Sequence, residues 1–298
     1  MRTIAILVGA LSLSGSAFAA DMATKMPVKA PPAASPVHSW TGFYGGFDGG
    51  YGWGGGGVAF TPNDVLANDV TCGGAFGSGS TCPPPTSVGI TGAFGGLQVG
   101  YNWQFNQSTL IGIETDLDSA RIRGAGTSSF PLFAATAPGT SSFAPQQDVD
   151  WFGTLRARLG WLPSDNLLLY ATGGFAYGHV DDNVALDVNP GIGGAATGGF
   201  GFSCTSPGVN CFSGSTSRTV TGWTAGSGLE YALAADISVK AEYLYVRLGG
   251  QAVNVAASTA TLNPALMPSS FTAAFDKAYF QVIRVGLNFR FGRSMPAK

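Results

Sequence analysis

Several segments alternate apolar and polar residues, and the charged side chains among the polar positions are the residues best placed to do chemistry. Seven acids and five bases in this pattern suit an ion-pair network, a cation-selective pathway or a pair of catalytic carboxylates. A general-acid pair such as Glu114 and Asp116 needs a substrate cleft, which the narrow interior of an eight-stranded β-barrel does not offer. The favoured interpretation is therefore a structural ion-pair network. Its predicted members are Asp48, Glu114, Asp116, Asp118, Asp150, Arg156, Arg158, Glu230, Lys240, Glu242, Arg284 and Arg290.

Four cysteines fall as two close pairs, Cys72 with Cys82 and Cys204 with Cys211. Each pair lies within one predicted loop, and an exported chain reaches a compartment in which disulfides persist. Neither spacing resembles a zinc motif, and no histidine lies nearby in the sequence, so no metal site is expected. The sequence predicts two disulfides within loops, while pairing across loops stays open.

The chain has two histidines, His38 and His179. His179 beside Tyr177 could act as an axial haem ligand, but a lone histidine near a strand end is more often an ordinary surface residue. Residues 52–57 match G-x-G-x-x-G in form, yet the helix that a phosphate site needs does not follow. The sequence therefore predicts no cofactor, no metal and no enzymatic activity.

The segments that carry these residues alternate apolar and polar side chains, which is typical of β-strands. In 148–161, for example, Leu155 and Leu159 lie on one face while Arg156 and Arg158 lie on the other. No charged residue falls on the apolar face of these segments within 43–53, 93–105, 111–117, 149–161, 169–177, 221–231, 237–245 and 279–291. The predicted strands are 41–53, 92–105, 110–118, 148–161, 167–179, 219–231, 237–247 and 278–291.

The connections between the segments alternate strictly in length, which distinguishes a barrel from a sandwich. The short connections are 106–109, 162–166 and 232–236, and the long ones are 54–87, 119–147, 182–218 and 249–276. A sandwich has no reason to place every long loop at one end, whereas a transmembrane barrel has short periplasmic turns and longer extracellular loops. The predicted fold is all-β: an eight-stranded antiparallel up-and-down transmembrane β-barrel with four long extracellular loops and three short periplasmic turns.

Composition agrees with this fold and excludes other classes of protein. Charged residues make up 11% of the 298 residues, against about 25% in a typical soluble domain. The net charge of −2 gives no basic footprint for nucleic acid. The N-terminus has the pattern of a signal peptide, with an apolar stretch followed by Ala-Phe-Ala. The expected organisation is a signal peptide at 1–19, a proline-rich periplasmic linker at 20–40, the barrel at 41–291 and a tail at 292–298.

Four stretches carry a resemblance to a known family: HSWTGFYGGFDGGYGWG (38–54), YATGGFAYG (170–178), VKAEYLYVRLG (239–249) and VIRVGLNFRFG (282–292). They resemble opacity-type, porin-like outer-membrane β-barrel surface proteins of alphaproteobacteria. The resemblance implies an eight-stranded barrel in the bacterial outer membrane, in a family that includes surface proteins, haemin-binding proteins and weak porins. The final strand resembles the signal read by the barrel-assembly machinery, with Arg284, Gly286, Phe289 and Phe291 in the matching positions. GRSMPAK follows Phe291, where most relatives end.

The function predicted from the sequence is structural and surface-exposed, with a lumen largely filled by the ion-pair network. The alternatives are a narrow porin that passes small solutes, and a surface receptor for a ligand such as haemin, or an adhesin. The expected partners are outer-membrane lipid, the barrel-assembly machinery during insertion, and an extracellular host or environmental ligand.

Overall fold

The computed structural model describes residues 39–64, 67–68, 83–134, 137–189, 210–257 and 270–291, which are almost entirely β-strand. Among these residues no helix is long and apolar enough to span a membrane. The strands are β1 (Gly42–Pro62), β2 (Thr86–Gln104), β3 (Thr109–Ala125), β4 (Ser128–Ala134), β5 (Ala137–Ser164), β6 (Leu167–Asn189), β7 (Asn210–Ala232), β8 (Ile237–Leu248), β9 (Gln251–Ala257), β10 (Ser270–Phe275) and β11 (Tyr279–Phe291).

Eight of these strands close into a ring of antiparallel neighbours, in the order β1, β2, β3, β5, β6, β7, β8, β11 and back to β1. The ring closes between β1 and β11, where Phe43 lies opposite Phe291. Short turns join β2 to β3, β5 to β6 and β7 to β8. The predicted eight-stranded antiparallel barrel is therefore confirmed. We call the end with these three turns the turn end, and the opposite end the loop end.

The strands continue past the predicted barrel at the loop end and form a structure that we call the crown. It consists of β4, β9 and β10 with residues 137–149 of β5, 179–189 of β6 and 210–220 of β7. In the crown, β4 pairs with β5, while β10 pairs with both β9 and β1. Parts of the predicted long loops are therefore strands that extend the barrel wall.

Apolar side chains face outward around the barrel, as the alternation predicts. Leu155 is 47% exposed, Leu159 60% and Trp161 57%, although all three are large and apolar. Their neighbours Arg156 and Arg158 point inward and are buried. An outer surface of this kind suits lipid rather than water, because soluble proteins rarely expose a continuous apolar belt.

A β-bulge interrupts the alternation on β5 and corrects one assignment. The sequence places Val149 on the outward face together with Trp151, whereas Val149 is fully buried and points into the lumen. Pairing of β5 with β6 shifts register between Val149 and Trp151, and a bulge of this kind adds one residue to the strand. The inward and outward positions therefore exchange at residue 150.

The lumen is filled in three layers. At the turn end lies a base cluster of six buried apolar residues that includes Trp40, Leu110 and Leu168. Charged side chains occupy the middle, and a large apolar core fills the loop end and the crown, with Phe94 and Phe152 at its lower edge. The described part of the barrel thus has a packed interior.

Several expected segments lie outside the described residues. They are the signal peptide (1–19), the linker up to residue 38 and the tail at 292–298. Trp40, which the sequence analysis assigns to the linker, is buried inside the turn end of the barrel.

Candidate functional site in the barrel lumen

Ten charged side chains meet in the middle of the lumen, and we call this group the charge layer. They come from inward positions of β1, β3, β5, β7, β8 and β11, and each residue is at most 7% exposed. Gly286 on β11 makes room among them, because an added Cβ would lie 3.1 Å from side-chain atoms of Asp48, Gln98 and Lys240. The members are Asp48, Glu114, Asp116, Asp118, Arg156, Arg158, Glu230, Lys240, Glu242 and Arg284.

Arg156 is bound by three carboxylates. Its Nη2 lies 2.5 Å from Glu114 Oε1 and 2.9 Å from Asp116 Oδ2, and its Nη1 lies 2.7 Å from Glu242 Oε1. Glu114 lies directly opposite Arg156 in the β3–β5 pairing, so this contact follows from the register. Glu242 is on β8, across the lumen, so Arg156 links two sides of the barrel.

Arg284 forms a second centre of the charge layer. Its Nη2 contacts Glu242 Oε2 at 2.5 Å and Asp116 Oδ2 at 3.0 Å. Its Nη1 lies 3.0 Å from Asp48 Oδ2 and 3.6 Å from Asp118 Oδ2. Arg284 thereby joins acids from β1, β3 and β8 to the last strand of the chain.

Arg158 and two tyrosines complete the turn-end side of the charge layer. Arg158 Nη2 donates to Glu230 Oε2 at 2.8 Å, and its Nη1 donates to Tyr44 Oη at 2.6 Å. Tyr44 in turn donates to Glu114 Oε2 at 2.6 Å. The guanidinium lies 3.9 Å from the centre of the Tyr170 ring, close enough for a cation–π contact.

The charges of the layer do not balance, because it holds six carboxylates and four cations. Lys240 Nζ reaches Glu114 Oε1 at 3.0 Å, so Glu114 takes up much of the positive charge. Asp48 and Asp118 converge on the one Nη1 atom of Arg284, and no well-aligned hydrogen bond from the described residues reaches their carboxylate oxygens. These two acids are the least compensated members of the layer.

Two residues predicted for the network lie elsewhere. Asp150 is on the outer surface, with Oδ1 3.6 Å from Arg123 Nη2 and both side chains largely exposed, because the bulge on β5 changes its direction. Arg290 lies at the mouth of the turn end, where its guanidinium is 5.1 Å from the centre of a Trp40 ring and donates to the Ser39 carbonyl. Asp150 therefore lies outside the charge layer, whereas Arg290 lies on its turn-end side and interacts electrostatically with Glu230.

Trp40 closes the turn end, a role that alternation could not reveal because Trp40 precedes the first strand. Its indole Nε1 donates to the Asp165 carbonyl at 3.0 Å, and its backbone N–H donates to Gln104 Oε1 at 3.1 Å. The ring is 1% exposed and packs in the base cluster. The only sequence signal is an aromatic residue directly before a strand.

His179 lies on the outer surface beside a serine that the sequence does not reveal as its neighbour. Its Nε2 lies 3.0 Å from Ser217 Oγ, and its ring stacks on Trp151 with centroids 6.0 Å apart. Asp181 Oδ1 approaches the same Nε2 at 3.6 Å, while Nδ1 faces the Thr219 hydroxyl at 3.5 Å. A catalytic triad needs its carboxylate on the opposite ring nitrogen from the nucleophile, so the contacts do not form one.

A smaller polar group lies in the crown around Asp182. Its Oδ1 accepts from Gln147 Nε2 at 2.9 Å, and its Oδ2 accepts from Gln251 Nε2 at 3.2 Å. Burial raises the pKa of Asp182 to about 6 against the opposing effect of the Gln147 hydrogen bond, and the negative charges of Asp181 and Asp148 raise it further. This carboxyl therefore titrates close to neutral pH.

The remaining predicted sites fall on the last strand and on the cysteines. Arg284 and Gly286 face the lumen, while Phe289 and Phe291 face outward with 37% and 62% exposure. Cys72, Cys82 and Cys204 lie outside the described residues, and the side chain of Cys211 is also outside them. Within the described ranges no group of acidic, histidine or cysteine side chains is arranged to hold a metal.

Comparisons with known proteins agree with this architecture. The sequence matches the family described as Outer membrane protein beta-barrel domain over residues 5–291. It is 33% identical over 200 residues to the 31 kDa outer-membrane immunogenic protein of Brucella melitensis biotype 1, with 67% of each chain covered. The match to the protein of the same name from Brucella suis biovar 1 has the same identity and coverage.

Solved structures similar to the chain include two bacterial proteins. One is Ail, the attachment invasion locus protein of Yersinia pestis, with a TM-score of 0.29, 12% identity and coverage of 84% of this chain and 99% of that chain. The other is the outer membrane protein OprG from Pseudomonas aeruginosa, with a TM-score of 0.38, 13% identity and coverage of 84% and 97%.

Proposed function

Because this chain belongs to the Outer membrane protein beta-barrel domain family, and is an outer-membrane protein, we propose that it acts as a closed, surface-exposed structural barrel of the bacterial envelope. In this proposal the barrel anchors the crown in the membrane and holds it on the outside of the cell. The side chains that fill the lumen fix the shape of the barrel, and no solute passes through it. The proposal assigns the barrel no catalytic step.

The packed lumen is the observation that carries the proposal. An eight-stranded barrel leaves an interior just wide enough for side chains, whereas aqueous channels belong to barrels of about 16–18 strands. Here the base cluster, the charge layer and the apolar core follow one another along the axis. Phe94, Phe152 and Phe280 pack edge to face across the core, with centroids 5.2 and 5.3 Å apart. We therefore expect such an interior to exclude water and ions.

Conductance of the refolded barrel in a planar lipid bilayer tests the proposal. We expect at most small and intermittent current steps from the purified monomer, and no swelling of vesicles in a sugar solution. A wide general porin refolded in the same lipid is the positive control. A steady, large, sugar-permeable conductance would overturn the closed barrel and establish the narrow-porin alternative in its place.

We propose that the crown is the part of the protein that meets the environment. The related Brucella proteins are named as outer-membrane immunogenic proteins, and exposure of the crown outside the cell would agree with that name. An epitope tag inserted between residues 195 and 196 should be detected by antibody on intact cells. A tag after Lys298 should be detected only after the outer membrane is permeabilised. The reverse pattern would overturn this orientation.

Ligand binding by the crown is the second candidate, as a haemin receptor or an adhesin. His179 is the observation that bears on haemin, but its Nε2 already contacts Ser217 and its ring stacks on Trp151. Titration of the refolded protein with haemin, compared with His179→Ala, tests this candidate. A Soret shift that the variant loses would establish haemin binding.

Two further proposals concern assembly of the protein. Cys72 with Cys82 and Cys204 with Cys211 should appear as two crosslinks within loops when the unreduced chain is analysed by mass spectrometry. Four free thiols in protein taken from the envelope would exclude them.

The positions of Arg284, Gly286, Phe289 and Phe291 suit a signal for the barrel-assembly machinery, and Phe289→Ala should slow insertion in cells more than refolding in detergent.

A further inference from the structure

The outer surface of the barrel contains a hollow of about 710 Å³ near the turn end. It extends over β2, β3, β5 and β6, with Trp103, Ile113 and Leu159 among its walls. Its floor is made of small residues, namely Ala157, Ala171 and Gly173. We call this feature the belt groove, because it lies within the outward apolar belt.

The register explains why the belt groove exists. Tyr101 pairs with Ile113, Ile113 pairs with Ala157, and Ala157 pairs with Gly173, so large side chains on two strands give way to small ones on the next two. A Cβ added at Gly173 would meet no atom closer than the Thr224 carbonyl oxygen at 3.6 Å. The hollow is therefore formed by missing side-chain volume, and the backbone leaves room for a larger residue.

The lining of the belt groove is apolar. Arg158 is the one charged residue that borders it, but its guanidinium is fully buried in the charge layer and only its main chain faces outward. Leu159 is 60% exposed beside the groove, as expected for a side chain that packs against lipid tails. The occupant must therefore be apolar where it touches the barrel.

We propose that the belt groove binds one acyl chain of a phospholipid from the periplasmic leaflet. The groove lies in the belt that crosses the membrane, and Trp103 is two residues from Phe105, where β2 runs into its turn. A second copy of the barrel fits less well. A stable interface takes about 800 Å² and 20–30 residues from each partner, whereas eleven residues line the groove. An acyl chain can lie along an apolar hollow of this kind and gains van der Waals contact with its lining.

The turns that border the groove indicate what selects the lipid. Residues 105–109 and 162–166 contain no lysine or arginine, so an anionic headgroup finds no cation there. We therefore expect the acyl chain, and not the charge of the headgroup, to determine binding. The inference rests on the proposed orientation, with the turn end of the outer-membrane barrel toward the periplasm, and does not depend on whether the lumen conducts.

Native mass spectrometry of the full mature chain, extracted from membranes in mild detergent, tests the proposal. The wild-type barrel should retain one phospholipid, with phosphatidylethanolamine and phosphatidylglycerol bound in proportion to their supply. Gly173→Leu should occupy part of the groove floor and lower the retained lipid by about tenfold, the equivalent of losing contact with two methylene groups. Ala241→Leu places the same side chain on the outward face of β8, away from the groove, and should retain lipid like the wild type.

A second measurement covers the case in which Gly173→Leu folds poorly on heat-shift gels. Wild-type protein refolded with phospholipid brominated on its acyl chains should lose the tryptophan fluorescence that comes from Trp103. The Trp103→Phe variant identifies that part of the fluorescence. The quenching should persist after transfer to detergent. Equal lipid retention by Gly173→Leu and Ala241→Leu would overturn the proposal. So would a wild-type barrel that carries only detergent, lipopolysaccharide or a second copy of the chain.

Discussion

At the scale of single residues, the arginines of the charge layer are each shared among several carboxylates. Arg156 touches Glu114, Asp116 and Glu242, and Arg284 touches the same three acids. Burying such groups costs desolvation energy that their attraction repays only with good geometry. The layer is therefore weak support for net stability but a strong constraint on structure, since removing one member leaves others buried without a partner.

Arg156→Ala should destabilise the barrel strongly. It removes the cation shared by three buried carboxylates, and breaking a buried ion pair from one side costs about 3–5 kcal/mol. Urea unfolding of the protein in lipid vesicles measures the loss. Arg247→Ala, which removes an outward and exposed arginine from β8, is the matched control and should stay within about 0.5 kcal/mol of the wild type. Similar losses in both variants would mean that the charge layer is not formed as described.

Asp118→Asn should not lower the free energy of unfolding, whereas Glu114→Gln should lower it. The layer has two more carboxylates than cations, and Asp118 shares a single arginine nitrogen with Asp48. Removing its charge should leave the free energy of unfolding unchanged or raise it. Glu114→Gln, which loses the partner of Arg156, Arg158 and Lys240, should lower it by about 3 kcal/mol or more. The same urea titration compares the two variants, and equal losses would contradict the charge imbalance.

Sequence alternation predicts which way most of these residues point, since period two determines the face of a strand. Ten of the twelve predicted members meet in the charge layer. Asp150 and Arg290 do not, because a bulge and the position at the barrel mouth are invisible to a count of alternate positions. The contact of Arg156 with Glu242 across the lumen could not be predicted either, because it depends on the order and curvature of the ring.

At the scale of elements, each strand passes through two different interiors. On β8 the inward residues change from Ser238, Lys240 and Glu242 to Leu244 and Val246 along one continuous strand. The change marks the boundary between the charge layer and the apolar core. A strand of this kind fixes its own depth in the barrel, since slipping by two residues would place charges in the core.

Leu155→Arg should weaken the barrel if the outward belt lies in lipid. Leu155 is in the middle of the embedded part of β5, where an arginine on the lipid face costs about 2–4 kcal/mol. The free energy of unfolding in vesicles gives the cost. Asn183→Arg puts the same side chain on the outward face of β6 in the crown and should cost almost nothing. A negligible cost at Leu155 would show that the register of β5 is wrong.

The crown should be more stable at mildly acidic pH than at neutral pH. The pKa of Asp182 is raised in the fold to about 6, against about 3.9 in an unfolded chain. The folded crown therefore binds more protons between these values, and its stability falls as pH rises from about 4 to about 6 and then levels off. Burial raises the pKa of Asp148 too, which adds to the same trend.

Hydrogen exchange of amides 180–188 at pH 5 and pH 7, corrected for the intrinsic exchange rates, measures this effect. The wild type should protect these amides better at pH 5. Asp182→Asn keeps a polar group between Gln147 and Gln251 and should lose most of the difference. Asp150→Asn, on the outer surface, changes only the contribution of Asp148 and should retain most of the difference. Greater protection at pH 7 in the wild type would contradict the assignment.

All eight membrane strands are predicted from the sequence, and their turn-end limits agree with the structure to within about three residues. At the loop end, six of the eight strands (β1, β2, β3, β5, β6 and β7) are longer than predicted, while β8 and β11 agree with the prediction to within one residue. β5 begins at Ala137 instead of 148, and β6 runs to Asn189 instead of 179. The pattern fades there because the outward positions of the crown face water and no longer need to be apolar. The strands β4, β9 and β10 were missed for the same reason.

At the scale of the whole molecule, two apolar seals enclose the charge layer. The base cluster with Trp40 lies on one side, and the apolar core with Phe94 and Phe152 lies on the other. The base cluster separates the charges from bulk water at the turn end, and the apolar core separates them from bulk water at the loop end. In the closed barrel proposed above, these two clusters would block the axis at two separate levels.

Trp40→Ala should reduce stability without opening a pathway. Truncating a buried tryptophan costs about 3–5 kcal/mol, while the apolar core at the loop end stays in place. Urea unfolding and bilayer recordings of the same preparation measure the two effects. Trp161→Ala, which removes an outward tryptophan that is 57% exposed, should cost less. A sustained current through Trp40→Ala would mean that the apolar core is permeable.

The seam between β1 and β11 also sets an order in time. Along residues 43–55, β1 has β2 on one side and β11 on the other, so its second edge stays open until the last strand is made. Hairpins with short turns form early because their closure costs little chain entropy, and the seam closes last. Asp48 and Arg284 lie on opposite sides of it. Their carboxylate and guanidinium groups can therefore stay hydrated until the ring closes, and they lose that water only in the final step of folding.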